Sequence, residues 1–202
     1  MLSTTIETDT AEVALCRCSQ PPCVVAVLVD EALWRWRGDR WAHLISDQSI
    51  CELHQFAARL GLRLMAFQGD HYDIQAKLRE KALKLGALPV NGRDVVRILR
   101  ESGLRLPASK RPGKWNVIAT WGRGICAPEF YDRVALVLLE TLDTCVDADW
   151  NAATVTLYRR IDEWALVVED GDPLLTGSIS DTVKCRSTPG GIVEFISGGI
   201  AQ

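Results

Sequence analysis

Residues 24–30 read Val-Val-Ala-Val-Leu-Val-Asp, a continuous apolar and β-branched run that ends at an acid. Such a run is typical of a strand that is buried on both faces, as in a parallel sheet. Residues 41–46 and 62–67 have the composition of further strands, and residues 87–90 form a shorter one. The run at 24–30 therefore predicts the centre of a sheet on which the N-terminal half is built.

Three helices are predicted between and after these strands. The first begins at Ser49, which has the spacing of a capping box, and the third begins at Asn91. The second carries apolar residues at helical spacing over residues 74–85. Because strands that alternate with helices favour an α/β fold, we predict a mainly parallel, Rossmann-like sheet with flanking helices in residues 23–106.

The net charge changes sign along the chain. Residues 1–115 carry 17 Lys and Arg against 13 Asp and Glu, whereas residues 116–202 carry 6 against 13. The change follows a stretch rich in Pro and basic residues, 107–114, which we predict to be a linker. We also predict a polar tail over residues 1–22 and a smaller, acidic α+β domain over residues 115–202.

The α+β prediction rests on apolar periodicity. Residues 128–145 have the pattern of a helix with Pro near its first turn, and residues 192–196 follow a Pro-Gly-Gly turn as a final strand. Residues 152–169 fit either a helix or the two strands of a hairpin. Their β-branched content favours the hairpin.

Composition excludes several classes of protein. An apolar fraction of 48% and a charged fraction of 24% are ordinary for a globular protein and unlike those of a disordered or collagen-like chain. No apolar run reaches the about 18 residues that a membrane helix needs. The first residues lack the basic start and apolar core of a signal peptide. We therefore expect a cytoplasmic protein with no membrane association.

Acids and histidines cluster in the N-terminal half. Asp30, Asp47 and Asp70 each follow a predicted strand, and open parallel sheets bind ligands at that edge. His43 and His71 would add ring nitrogens to these carboxylates. Mixed nitrogen and oxygen ligands suit Zn²⁺ or Mn²⁺, whereas carboxylates alone suit Mg²⁺. Such an ion activates water and stabilises a phosphoryl oxygen, so the cluster predicts phosphate chemistry.

Each candidate is given a role on this basis. The predicted ligands of a divalent metal (Mg²⁺, Mn²⁺ or Zn²⁺) are His43, Asp47, Asp70 and His71. The predicted catalytic groups are Asp30, Asp70 and His71. The residues predicted to bind substrate are His54, Tyr72, Asp73, Arg93, Arg97, Trp36 and Trp41.

Several of these residues also have a purely structural interpretation. Asp73 is well placed to cap the second helix, and His54 lies at the edge of an apolar helical stripe. His43 alternates with apolar neighbours, which is typical of a hydrogen-bonded core histidine. The sequence leaves both interpretations open.

Two basic segments add candidate contacts to phosphate. Residues 75–115 carry 11 basic residues against 3 acidic ones, and Arg93 and Arg97 are one helical turn apart. This surface is equally consistent with a solvated helix face or a docking face for the acidic half. Residues 34–41 interleave tryptophan with arginine, a pattern that suits base stacking, a lid over the sheet edge, or a hairpin packed by cation–π contacts.

At these residues the sequence resembles a known family. The matching motifs are Val29-Asp30, Trp41-Ala42-His43-Leu44, Glu52-Leu53-His54 and Gly69-Asp70-His71-Tyr72-Asp73. On them, residues 24–106 resemble an uncharacterised family of short bacterial and phage domains, a domain of unknown function. The resemblance implies that these polar residues form one recurring pattern, and it implies no reaction.

A second likeness concerns the predicted fold. A strand that ends in Val-Asp, with acids at further strand ends, resembles the PIN-like nucleases, which hold Mg²⁺ or Mn²⁺ with carboxylates. The histidines depart from that pattern, and fold analogy does not assign a function.

These observations lead to one main hypothesis and one alternative. The main hypothesis is a metal-dependent phosphoesterase or nuclease that acts on a nucleotide or nucleic-acid phosphate. The alternative is a non-catalytic, nucleotide-binding or protein-binding regulator, such as a phage-type accessory protein, with the acidic C-terminal half as the surface for a protein partner.

Overall fold

The computed structural model describes residues 26–129 and 132–198. The polar tail predicted over residues 1–22 lies outside these ranges. Within them, the chain forms four α-helices, two five-stranded sheets and one two-stranded sheet.

The N-terminal sheet is organised around one long strand. Its strands are β1 (Val27–Val29), β2 (Trp34–Trp36), β3 (Asp39–Ser46), β4 (Tyr72–Gln75) and β5 (Leu88–Pro89). One edge of β3 pairs with β4, and the other edge pairs with β1 and β2. β1 also pairs with β5, in parallel. β3 is therefore the strand that sets the register of β1, β2 and β4.

The prediction of a mainly parallel, Rossmann-like sheet is wrong. Three of the four pairings in this sheet are antiparallel, and the C-terminal sheet is antiparallel throughout its described strands. Arg37 and Gly38 have φ values of 50° and 84° and turn the chain directly from β2 into β3. A tight turn of this kind joins antiparallel strands without the crossover helix that a parallel pair requires.

The strand predicted over residues 62–67 is also wrong. Leu64–Ala66 forms a single turn of 3-10 helix instead. The backbone N–H of Leu64 donates to the carboxylate of Glu194, at 2.7 Å, rather than to a neighbouring strand. A contact far along the sequence thus overrides the local β propensity.

Helices cover both faces of the N-terminal sheet. They are α1 (Ile50–Arg59), α2 (Ala76–Lys84) and α3 (Gly92–Glu101). The predicted caps are confirmed, since Ser49 accepts from the backbone of Glu52 and Asn91 accepts from that of Arg93.

The two faces have separate apolar cores. Leu53 and Phe56 of α1 pack with Leu44 of β3, whereas Val95 of α3 packs with Ile45. Residues 44 and 45 are consecutive in a strand and so point to opposite faces. α3 therefore covers the face that also carries His43.

The C-terminal half is one helix packed on an antiparallel sheet. Its strands β6 (Asn116–Gly122), β8 (Thr154–Arg160), β9 (Glu163–Glu169), β11 (Val183–Thr188) and β12 (Ile192–Gly198) lie in the order β11-β12-β9-β8-β6. The helix is α4 (Arg133–Cys145), and β7 (Val146–Asp147) pairs with β10 (Leu174–Leu175). The hairpin favoured for residues 152–169 is confirmed as β8 and β9.

None of the four described helices combines the length and apolar character needed to cross a bilayer. The longest, α4, has 13 residues.

The two halves meet at a buried ionic contact. The Glu194 side chain is completely buried, and its carboxylate accepts from Arg63 Nε at 2.8 Å and from the Leu64 N–H at 2.7 Å. Arg186 donates in the opposite direction, to the carbonyl oxygens of Leu62 and His54 at 2.6 and 2.7 Å. The C-terminal sheet thereby fixes the backbone that leads through Gly69, Asp70 and His71 into β4.

We expect Glu194→Gln to lower the free energy of unfolding by about 3 kcal/mol, because it leaves a guanidinium and a backbone N–H without their buried anion. Glu169→Gln is the matched control. Glu169 also contacts Arg63, at 3.0 Å, but its side chain is 36% exposed, so we expect a loss below about 1 kcal/mol. Urea denaturation of both variants measures the difference. Equal losses would show that the buried contact has no special weight.

Candidate functional site

Asp30 and His43 form the first of two carboxylate–imidazole pairs. Asp30 follows β1 directly, and its N–H donates to the His43 carbonyl oxygen, so antiparallel pairing places the two residues side by side. His43 Nδ1 lies 2.7 Å from Asp30 Oδ2, and the His43 N–H donates to Oδ1 at 2.6 Å. Both oxygens of this buried carboxylate are therefore engaged by one histidine.

Asp70 and His71 form the second pair. His71 Nδ1 lies 2.5 Å from Asp70 Oδ1. The other carboxylate oxygen accepts from Arg105 at 3.0 Å and from the Leu106 N–H at 3.2 Å. Asp70 is completely buried, so the guanidinium and this N–H offset the cost of burying its charge.

The two imidazoles converge on a third carboxylate. His43 and Asp73 are direct partners across β3 and β4, and His71 lies two residues before Asp73. The Nε2 atoms of His71 and His43 lie 3.4 and 3.9 Å from Asp73 Oδ1, and the ring centroids are 5.3 Å apart. One ligand atom from each of the three residues lies within 4.8 Å of the others. We name this group the His-His-Asp cluster.

Asp73 Oδ1 is the atom that lacks a hydrogen-bond partner. It is the one buried side-chain nitrogen or oxygen without such a partner in the described part of the chain. Buried polar atoms are normally satisfied, so an exception at the meeting point of two imidazoles points to a cation.

The local charges favour proton retention on His71 when no other cation is present. Burial opposes the charged imidazole, but the hydrogen bond to Asp70 and the nearby Asp73 outweigh it and raise the pKa of His71 to about 9. The pKa of Asp70 is lowered, because its contacts with His71 and Arg105 outweigh its own burial. The site thus attracts positive charge.

The donor set fits a divalent metal ion. Each Nδ1 faces a carboxylate, which leaves each Nε2 directed towards Asp73 and available as a ligand. Carboxylates placed behind metal-binding histidines in this way fix the ring orientation and raise ligand basicity. Two imidazole nitrogens and one carboxylate oxygen suit Zn²⁺ and also Mn²⁺.

Two of the predicted metal ligands, Asp70 and Asp47, do not lie where the sequence led us to expect them. It brings His43 and His71 together as expected, but Asp70 stands behind His71 rather than beside the open Nε2 atoms. Asp47 follows the far end of β3, where its carboxylate accepts from the Ala26 N–H at 3.2 Å. Asp47 therefore lies outside the His-His-Asp cluster.

Asp73 was expected to bind substrate or to cap the second helix, and sequence reasoning missed it as a candidate metal ligand. It lies in β4, and the residue before α2 is Gln75, which makes no side-chain cap. The sequence signal for this position of Asp73 was its two-residue spacing from His71, because residues two apart in an extended segment lie on the same face.

His54 and Tyr72 lie on the opposite side of the sheet. Tyr72 precedes Asp73 in β4 and is completely buried in the core under α1. His54 Nδ1 lies 2.7 Å from the Tyr72 hydroxyl, and its ring packs against Phe67. Burial, with Lys184 and Arg186 nearby, lowers the pKa of His54 to about 3. This geometry favours the structural interpretation of His54 as a neutral, half-buried residue at the edge of the apolar face of α1.

The two arginines proposed for phosphate differ in their surroundings. Arg97 is exposed and forms ion pairs with Asp94 and Glu101 on its own helix, at 2.9 and 3.1 Å. Arg93 follows Gly92, the first residue of α3, and an added Cβ at Gly92 would lie 3.3 Å from Asp30 Oδ2. The first turn of α3 therefore lies beside the first carboxylate–imidazole pair.

Trp36 and Trp41 lie on the face of the sheet that carries His43. Trp41 Nε1 donates to the Trp36 carbonyl oxygen at 3.0 Å, and the two rings meet edge to face at 5.4 Å. Trp34, which the site predictions omitted, stacks on Trp36 and on His43, at 6.2 and 6.3 Å.

Comparison with known proteins finds that the segment with this cluster is similar to an uncharacterised domain. Residues 27–102 match the model of a family described as "Protein of unknown function (DUF4031)". The match is consistent with the expected resemblance to an uncharacterised domain family, and it includes both carboxylate–imidazole pairs and Asp73. No curated protein and no solved structure matches the chain.

The lowered pKa of His54 predicts a pH dependence of stability. Its folded pKa of about 3 lies below the ordinary 6.5. Between these values the unfolded chain therefore binds a proton that the folded chain does not. His54 stabilises the fold above pH 6.5, and this stability is lost as the pH falls, by up to about 1.4 kcal/mol per pH unit.

The test is urea denaturation of chelated protein between about pH 6.5 and pH 5, above the range in which ordinary carboxyl groups titrate. The free energy of unfolding should fall in the wild type, and His54→Gln should flatten the slope. The wild-type slope persisting in His54→Gln would mean that His54 is accessible to protons, as a substrate-binding residue would be.

Proposed function

We propose that the His-His-Asp cluster is the divalent-metal centre of a phosphoesterase or nuclease that acts on a nucleotide or nucleic-acid phosphate. One observation carries the proposal. Two imidazole Nε2 atoms, each held from behind by a carboxylate, face a buried Asp73 oxygen that has no hydrogen-bond partner among the described residues.

The three cluster residues are the proposed ligands. His43, His71 and Asp73 give two nitrogens and one oxygen, and three protein ligands are typical of a catalytic site because they leave room for water and substrate. A divalent ion bound there would lower the pKa of water and stabilise charge on a phosphoryl oxygen.

Asp30 and Asp70 serve this centre as positioning residues. Every oxygen of the two carboxylates is already engaged, by His43 for Asp30 and by His71, Arg105 and Leu106 for Asp70. Both residues are also buried, so their carboxylates are poorly placed to take a proton from a water or a substrate. Their contribution is to keep each Nδ1 facing away from the metal and each Nε2 open.

Positive groups near Asp30 favour a phosphate substrate. Arg79 Nε donates to the Asp30 carbonyl oxygen at 2.6 Å, which brings a guanidinium to the back of the first pair. The N-terminus of α3 lies against Asp30, with Arg93 in its first turn. The first backbone N–H groups of α3 are already engaged by Glu31 and Asn91, so the group that favours phosphate oxygens here is the arginine guanidinium.

Asp73→Asn tests the ligand assignment with little change of shape. We expect wild-type protein to show a higher unfolding midpoint with Zn²⁺ or Mn²⁺ than with EDTA, because a ligand that binds only the folded state stabilises it. Asp73→Asn and His71→Ala should lose this rise. Asp47→Asn should keep it, since Asp47 lies at the other end of β3. A rise that persists in Asp73→Asn, or disappears in Asp47→Asn, contradicts the assignment.

Hydrolysis is measured on the same variants. Wild-type protein should release product from bis(p-nitrophenyl) phosphate or a labelled oligonucleotide only with metal, and Asp73→Asn should reduce turnover to background. Intact substrate after prolonged incubation of metal-loaded wild type would overturn the enzymatic proposal and favour the non-catalytic regulator.

Asp70→Asn tests the positioning role. It keeps the ligands but weakens the contact that orients His71, so we expect metal affinity to fall about 10- to 100-fold. Isothermal titration with Zn²⁺ measures the change. Arg97→Gln is the control, because its ion pairs stay within α3. Unchanged affinity in Asp70→Asn would remove this role.

A further inference from the structure

A row of aromatic rings leads along the sheet surface to the His-His-Asp cluster. From the hairpin tip inward, the rings are Trp36, Trp34, His43 and His71, with successive centroid distances of 6.2, 6.3 and 5.3 Å. The first three are close to parallel, since the interplanar angles are 13° and 4°. The row is therefore a stack of nearly parallel rings that leads to His71 of the cluster.

The outer rings are open to solvent and held in place. Trp34 and Trp36 are each 45% exposed, an unusual state for two adjacent large aromatic side chains. Trp41 braces Trp36 by an edge-to-face contact and a hydrogen bond to its carbonyl oxygen. The row of rings is thus preorganised, which lowers the entropy cost of binding a ligand.

The hairpin that carries these rings is positively charged. Residues 34–41 contain three arginines, Arg35, Arg37 and Arg40, and one acid, Asp39. No ion pair within residues 26–129 and 132–198 involves these three arginines. The Arg37 guanidinium lies over the Trp36 ring, 4.5 Å from its centroid. Unneutralised arginines beside exposed indoles favour a ligand that combines flat rings with negative charge.

We propose that this row is a binding platform for single-stranded nucleic acid, with unpaired bases stacked on Trp34 and Trp36. Stacking on aromatic rings within a positive surface is how proteins bind single strands with little sequence preference. The inference rests on the proposed function in one respect: it makes a single strand the substrate whose phosphate reaches the metal centre. A duplex hides its base faces and is not bound in this way.

The experiment measures binding without cleavage. Fluorescence anisotropy of labelled 12-nucleotide DNA and RNA single strands, and of a duplex of the same sequence, is recorded in EDTA. We expect either single strand to bind more tightly than the duplex, and the DNA and RNA arms identify which one is preferred. Binding should weaken as salt is raised, because arginine–phosphate contacts release counterions.

The variants isolate the stacking contribution. Trp34→Ala and Trp36→Ala should each raise Kd about tenfold, and the phenylalanine variants should retain most of the affinity, because a flat ring remains. Trp150→Ala is the matched control, since Trp150 is 40% exposed in the C-terminal half. Circular dichroism confirms that each variant is folded.

Three outcomes would overturn the platform: no binding of either single strand, a preference for the duplex, or equal affinity in the tryptophan-to-alanine variants and wild type. The two proposals fail separately. Single strands that bind but stay intact with every metal leave the platform standing and remove the phosphoesterase. Hydrolysis of bis(p-nitrophenyl) phosphate without binding of either single strand removes the platform and leaves the phosphoesterase standing.

Discussion

The register of β3 is the constraint on which the candidate site depends. In this register, His43 lies next to Asp30 on one edge and opposite Asp73 on the other. A shift of one residue would turn His43 into the core and bring Leu44 to the surface, so the apolar core itself fixes the register. Leu44 and Ile45 are both completely buried, on opposite faces. Packing energy on the two faces of the sheet thus specifies the polar geometry at its edge.

The second pair depends on contacts from distant parts of the chain. Glu194 of the C-terminal sheet holds Arg63 and Leu64, and the 3-10 turn there leads into the loop with Asp70 and His71. On the other side, the segment after α3 closes on this loop, and a Cβ at Gly69 would lie only 2.7 Å from Leu106. The tight contact leaves space for glycine alone. Both halves of the chain therefore contribute to the position of one histidine.

The sequence alone predicted the local features well and the pairing poorly. The caps at Ser49 and Asn91 were predictable, because a cap depends on neighbouring residues and its preferred side chains are few. The strand predicted over residues 41–46 also followed from a local pattern, the alternation of His43 with its apolar neighbours. Strand direction did not follow, because a hairpin was only one of three interpretations of residues 34–41 and the Arg37-Gly38 turn lacks the commonest hairpin signals.

The same distinction separates the site residues. Asp30, His43, Asp70 and His71 could be chosen by residue type and position, since acids and histidines in one segment are a local pattern. The sequence could not show that Asp73 rather than Asp47 lies beside the two histidines, because this depends on which strand pairs with β3. The short β4 resembles the start of a helix, and there Asp73 has the expected look of a cap. Only the pairing with His43 shows its other use.

The polar cluster also explains how the fold tolerates one buried carboxylate oxygen, Asp73 Oδ1, without a hydrogen bond. An anion in this position is stable only if a cation lies beside it. Asp70 raises the pKa of His71 and so supplies a proton near Asp73, and a divalent ion at the same place would supply more charge with direct bonds. Proton and metal then compete for one Nε2 atom. Metal binding must release that proton from His71. The Asp70–His71 pair therefore stabilises the cluster when no metal is bound and also sets its affinity for a metal.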